Sequence, residues 1–158
     1  MRIDRLDHLV LTVADLDATI DFYVRVLGME VVTFSGGRRA LTFGTSKINL
    51  HPAGREYEPK AARPTPGSAD LCLVTDTPLD LVIAELGLHG VPIEEGPVER
   101  TGATGSITSV YGRDPDGNLI ELSRYGSAEP DFRICGTAAR AIADLAEPPP
   151  PSPPPLVP

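Results

Sequence analysis

The chain has 158 residues, with 14 Lys and Arg against 22 Asp and Glu, a formal net charge of -8 and 41% hydrophobic residues. That length and apolar content suit one compact domain, or two small modules sharing a core. The acidic balance and the lack of any basic run argue against nucleic acid or an anionic membrane surface as partner, since both are bound through clustered Lys and Arg. No window reaches the apolar length of a membrane span, and Met1 to Arg5 leads into a strand-like segment rather than an apolar signal region, so a cytoplasmic location is expected. Two cysteines, Cys72 and Cys135, suggest neither a disulfide scaffold nor a zinc knuckle.

In chain order, His8 to Val13 reads as a strand, Asp15 caps a helix running to about Leu27, and Gly28 stops it. Strand-like segments follow at Met29 to Phe34, Ala40 to Phe43 and Lys47 to His51. A Pro-, Gly- and charge-rich stretch over 54–67 reads as a linker. The pattern then restarts. Asp70 to Val74 is a strand, Thr77 caps a helix with Pro78 at its first position, and Gly90 stops it, which places His8 against Asp70 and Gly28 against Gly90 at an offset of 62. Further strands are expected at Val91 to Glu94, Ile107 to Tyr111 and Leu119 to Ser123, with Glu95 to Ser106 as a Gly-containing loop able to cover a cleft. Its glycines lack the strand-before, helix-after context of a phosphate loop. The organisation is therefore a βαβββ unit used twice, with modules at about 3–53 and 68–125 inside a domain of residues 1–125. Residues 126–158 form an extension. Within it, 138–147 has the composition of a short helix, and eight of the last eleven residues are Pro, which favours extended or disordered chain.

Asp114-Pro115-Asp116-Gly117 is a strong turn signal, because Pro fixes φ, Asp bonds its own backbone and Gly accepts positive φ. The strand after it carries one carboxylate, Glu121, on the face opposite Ile120 and Leu122. By itself, a lone Glu on a strand reads best as part of a solvated face. The three histidines add context. His8 opens the first strand, His51 shares a face with Asn49, and His89 sits beside Gly90 at a helix C-terminus, where a cation suits the dipole. Overlaying the halves puts Ile48-Asn49-Leu50 on Ile120-Glu121-Leu122, so four slots open onto one cavity: His8, Asn49 or His51, Asp70, and Glu121. Imidazole combined with carboxylate suits one catalytic divalent ion, Zn, Fe, Ni, Co or Mn, better than a structural zinc. Arg100, Tyr111 and Arg113 stand as rim residues able to meet an anion, with rim ion pairs as their commoner fate.

These motifs support a family resemblance. The opening Leu6-Asp7-His8-Leu9-Val10-Leu11-Thr12-Val13, Phe22-Tyr23 before Leu27-Gly28-Met29, and Asp114-Pro115-Asp116-Gly117-Asn118-Leu119-Ile120-Glu121 resemble the vicinal oxygen chelate superfamily of glyoxalases, bleomycin-binding proteins and extradiol dioxygenases. Lys47 to His51, Glu56 to Ala61 and Ile93 to Val98 look like its glyoxalase domain-containing protein 5 group. The resemblance covers about residues 3–125. It implies an α+β fold in which two βαβββ modules form a curved, half-open eight-stranded barrel around a metal site. His8 and Glu121 match its ligand positions, whereas Asn49 stands where glyoxalase-like members place Glu, so His51, two residues on along the same face, is taken as the third metal ligand beside His8 and Glu121. Asp70 is an optional fourth ligand or a support to them, and Glu121 or Asp70 is the catalytic carboxylate. The implied function is a divalent-metal-dependent, glyoxalase-like lyase or isomerase acting on a small-molecule substrate bound through adjacent oxygens, in a homodimer. The alternatives are an iron(II) extradiol-type dioxygenase, which Asp70 weakens because it stands where that group places a second His, and a metal-free small-molecule-binding protein.

Overall fold

A computed structural model of the chain describes residues 1–126. The expected helix at 138–147, the Pro-rich segment and Cys135 lie outside the described residues. The first module runs β1 (His8–Val13), α1 (Leu16–Arg25), β2 (Glu30–Phe34), β3 (Arg38–Phe43) and β4 (Ser46–Pro52). The second runs β5 (Asp70–Val74), α2 (Leu79–Leu88), β6 (Glu95–Gly102), β7 (Gly105–Arg113) and β8 (Leu119–Tyr125).

Local chemistry explains the helices. Asp15 accepts hydrogen bonds from the Asp17 and Ala18 amides, both at 3.0 Å, and so satisfies two donors at the open end of α1. At its far end the chain turns at Gly28, with φ +67°, and the Met29 amide bonds back to the Tyr23 carbonyl at 3.0 Å. The second half repeats this ending, with Gly90 at φ +69° and the Val91 amide on the Leu86 carbonyl at 2.9 Å. The start of α2 differs from expectation. Pro78 holds the capping position with no side-chain hydrogen bond, and the Thr77 amide instead donates to Thr75 Oγ1.

The modules form two four-stranded sheets, ordered β1-β4-β3-β2 and β5-β8-β7-β6. In each, the first strand runs parallel to the fourth and the other pairings are antiparallel. This is the α+β, twice-used βαβββ architecture, with one correction: no strand of one sheet pairs with a strand of the other, so the sheets do not close into an eight-stranded barrel. They share a core instead. Leu11, Val13, Leu41, Ile48 and Leu50 pack with Phe22 and Tyr23 of α1 and with Val26 at its C-cap, and this cluster continues through Val82, Leu86, Val110 and Ile120 of the second half. Burying these apolar faces together turns the opposite faces, which carry His8 and Glu121, away from the core.

Two further expectations change. Val91 to Glu94 is not a strand, and 95–106, expected as a loop, is the hairpin of β6 and β7. Pro97 is tolerated because the β6–β7 register shifts between Glu95 and Val98, where no ladder donor is needed. Gly96 is required there, since a Cβ would stand 2.4 Å from the Ser109 carbonyl oxygen. This longer hairpin is why the offset between halves grows from 62 at the helix stops to 72 between Asn49 and Glu121.

The turn at Asp114 does more than reverse the chain. Asp114 Oδ1 accepts from the Asp116 and Asn118 amides at 3.0 and 2.8 Å, and Oδ2 accepts from Asn118 Nδ2 at 2.8 Å and Tyr23 Oη at 3.0 Å. Asp116 accepts from the Ala14 amide at 3.1 Å, and Asn118 Oδ1 from the Ala69 amide at 2.8 Å. One turn thus ties together the end of β1, the body of α1 and the entry to β5.

Candidate functional site

Strand alternation places His8, Val10 and Thr12 of β1 on the face away from α1, opposite Lys47, Asn49 and His51 of β4. His8 has a side chain 45% exposed, and its Nδ1 lies 2.8 Å from Asp7 Oδ1. A carboxylate on one ring nitrogen fixes an imidazole's tautomer and turns the other nitrogen outward, which is the usual support of a metal-binding histidine. Asn49 is one diagonal step from His8, and its Oδ1 is buried with no hydrogen-bond partner among the described residues. Such an acceptor is costly unless a donor or cation reaches it.

His51 is placed differently. Its register partner is Thr12, four residues along β1 from His8, or about 13 Å along the strand. That separation lies beyond what two imidazoles, each about 2 Å from an ion, span in ordinary rotamers. His51 is 9% exposed and packs edge-on to Tyr57 with ring centroids 5.2 Å apart. Burial, with Arg38 nearby, lowers its pKa and favours the neutral ring. Glu56, beside it, accepts from the Gly54 amide at 2.8 Å and from Lys60 Nζ at 3.0 Å, which holds its carboxyl at about 2.

On the second sheet, Glu121 shares a face with Cys72, Ser109, Tyr111 and Ser123. Ser109 Oγ donates to Glu121 Oε1 at 2.6 Å, Ser123 Oγ does so at 3.2 Å, and the two hydroxyls are 2.8 Å apart. Burial alone would raise this carboxyl's pKa, but hydrogen bonds from Ser109, Tyr111 and Ser123 outweigh it and hold Glu121 below its ordinary value, as an anion. Asp70 lies one diagonal step away, since its partner is Leu119 while Cys72 faces Glu121. Tyr111 is held in turn by Arg100 Nε at 3.1 Å, and Arg100 also pairs with Glu95 at 2.7 Å. Arg113 pairs with Glu94 at 3.0 Å.

The fold therefore brings His8 to Asn49 and Asp70 to Glu121, and separates His8 from His51. Among the described residues of one chain, no three His, Cys, Asp or Glu side chains converge on a metal position. The sequence reading missed Asp7 and the Ser109–Ser123 pair. Residue parity with Glu121 along β8, and across the β7–β8 ladder, is the signal that finds both serines. A cavity of about 400 Å³ lies elsewhere, lined by Arg25, Met29, Phe43, Val82 and His89. There His89, expected to serve the helix dipole, instead meets Arg25 Nη1 at 2.8 Å.

The model of the Glyoxalase/Bleomycin resistance protein/Dioxygenase superfamily matches residues 5–122, which is most of the chain. The chain belongs to that superfamily. Virulence protein STM3117 of Salmonella typhimurium is 63% identical over 125 residues, covering 79% of this chain and 87% of the relative. Glyoxalase domain-containing protein RDO1 of Mycosarcoma maydis is 58% identical, covering 78% of this chain and 70% of the relative. Biphenyl-2,3-diol 1,2-dioxygenase 3 of Rhodococcus globerulus is 33% identical over 80% of this chain and 66% of its own length. Among solved structures, that of STM3117 superposes with a TM-score of 0.79, covering 80% of this chain and all of that one. Lactoylglutathione lyase from Agrobacterium tumefaciens superposes at 0.60 with 25% identity, covering 78% and 96%. The finer likeness to the glyoxalase domain-containing protein 5 group rests on the sequence motifs alone.

Proposed function

We propose that the chain is a divalent-metal-dependent lyase or isomerase, working as a homodimer on a small molecule that presents two adjacent oxygens. The observation that carries this is a matched pair of prepared ligands on open faces: His8 oriented by Asp7, and Glu121 held anionic by Ser109 and Ser123. The orphaned Oδ1 of Asn49 beside His8 fits a cation. His8 and Asn49 from one copy, with Glu121 from its partner, would hold the ion. This reading leaves His51 out of the ligand set because of its register.

When bound, a divalent ion supplies Lewis acidity to the chelated oxygens and keeps open positions for them. The protein's own part is proton transfer and order. Asp70, diagonal to Glu121 and exposed, would take a proton from the carbon beside a bound carbonyl and return it. The serine pair keeps Glu121 from turning away while Asp70 acts.

A second reading, an iron(II) ring-cleaving dioxygenase, is favoured by the 33% identity to a biphenyl-diol dioxygenase. Metal analysis of protein purified without chelator tests the shared premise. About one divalent ion per chain is expected, lost in His8→Ala and in Glu121→Gln. No ion, with both variants unchanged in ligand affinity, overturns both enzyme readings. Oxygen uptake with catechols after iron(II) reconstitution separates them: consumption favours the dioxygenase, and no uptake with turnover of a 2-oxoaldehyde–thiol adduct favours the lyase.

A further inference from the structure

The exposed face of the first sheet carries a group of residues that the proposed metal centre does not use. Arg38 stacks over the Tyr57 ring at 4.5 Å, and Lys47 Nζ reaches the Phe34 ring at 5.0 Å. Neither forms an ion pair with a carboxylate within 4 Å among the described residues, whereas Arg25, Arg39, Lys60, Arg100 and Arg113 all do. Arg2, Arg55, Arg63 and Arg124 also lack a carboxylate within 4 Å, but among these unpaired cations of the described residues only Arg38 and Lys47 are set over aromatic rings, and both lie on one sheet face. Rings fix a cation's position without neutralising it, so its charge remains available to a ligand.

The floor between them is apolar except for Asn49, which stands between Val10 and Ala40 across the ladders. Ala40, opposite Asn49 on β4 and opposite Val32 on β2, is 0% exposed, and Lys47 extends diagonally past this row to reach Phe34. Val10, Val32 and Phe34 remain open, Val10 by 45%. His51, packed edge-on against Tyr57, closes one end. The nearby carboxylates do not fill the space: Glu56 is paired with Lys60, Asp7 with His8 and Arg5, and Glu30 stands at the outer strand.

We infer that Arg38 and Lys47 form an anion subsite over the Val10, Ala40, Val32 and Phe34 floor, which takes the carboxylate end of a substrate with a small apolar body. Lys47 pairs with His8 across the β1–β4 ladder, so a carboxylate held here leaves the other end of the molecule toward the His8–Asn49 pair. This inference rests on the reading above for calling the molecule a substrate; the binding itself needs no metal.

Benzoate in a chelating buffer is the probe, with benzamide as its neutral match, followed by backbone amide NMR titration of the full chain. Benzoate is expected to shift Val10, Val32, Ala40 and Asn49, to bind at least about tenfold more tightly than benzamide, and to lose about that factor in Arg38→Gln and in Lys47→Gln, which share the load. The paired cation Arg39→Gln is expected to leave the affinity unchanged. Equal binding of benzamide, shifts confined to other residues, or full benzoate affinity in both variants overturns the subsite. Benzoate binding that persists when metal analysis fails keeps the subsite and removes the reaction. Indifference to both substitutions removes the subsite whatever the metal result.

Discussion

Glu121 shows how far a single residue can be read. Its position on an apolar strand and its place in the repeat marked it as a ligand, but its charge state is set by Ser109 and Ser123, which reach it only through the β7–β8 ladder. Removing the shorter bond is informative. Ser109→Ala is expected to raise the Glu121 pKa, read by carboxyl-carbon NMR, and to cost about 1 kcal/mol at neutral pH. The sign follows from linkage. A carboxyl whose folded pKa is depressed stabilises the fold above its ordinary value of 4.5, and that stability is lost as pH falls through the lower folded value. Denaturation at pH 7 and below pH 4 should therefore show a smaller difference in the variant. His51 acts in a higher window. Its folded pKa is lowered by burial, so the unfolded chain binds more protons and stability declines as pH drops below its ordinary 6.5. His51→Gln should flatten urea midpoints between pH 7.5 and 5.5. An unchanged slope would mean that the ring is not buried in solution. The sequence could not separate His51 from Asn49, because both share a strand face, and only the register with β1 puts distance between His51 and His8.

At the scale of elements, the strands and helix of the first module were legible because their apolar residues alternate or recur cleanly and because Asp15 and Gly28 punctuate them. The β6–β7 hairpin was not. Gly96, Pro97, Gly102 and Gly105 are ordinary breakers in isolation, and only the close approach of Ser109 and the bulge at Pro97 make them strand residues. The Asp114 turn was recognised as a turn, yet its main role is long-range, since Tyr23 and Ala14 belong to the other module. Asp114 is 5% exposed and accepts four hydrogen bonds, so Asp114→Ala leaves several buried donors without partners and should cost about 3 kcal/mol or more. Tyr23→Phe removes one of the four and should cost about 1 kcal/mol. Thermal melts of both variants check the ordering. A Tyr23→Phe loss as large as that of Asp114→Ala would place the strength of the turn in the inter-module bond alone.

For the molecule as a whole, the shared core turns the two apolar faces inward and leaves His8 and Glu121 on separate open sheets, which is why a barrel around one ion does not form within a chain. Two copies related by a twofold axis would supply each site with His8 from one protomer and Glu121 from the other, and would generate two such sites. That geometry makes a definite prediction about mixtures. His8→Ala and Glu121→Gln homodimers each lack one ligand at both sites. A mixed dimer holds one site with both ligands, contributed by the Glu121→Gln protomer's His8 and the His8→Ala protomer's Glu121, and one site with neither. After equal mixing and exchange, half the dimers are mixed, so metal binding should return to about a quarter of the wild-type level. Binding should also weaken on dilution as dimers dissociate, because the ion stabilises only the assembled form. Recovery near a quarter, measured by metal content after gel filtration, requires ligands from two chains. No recovery above the separate variants, with dimer exchange verified by mass, would place all ligands within one protomer.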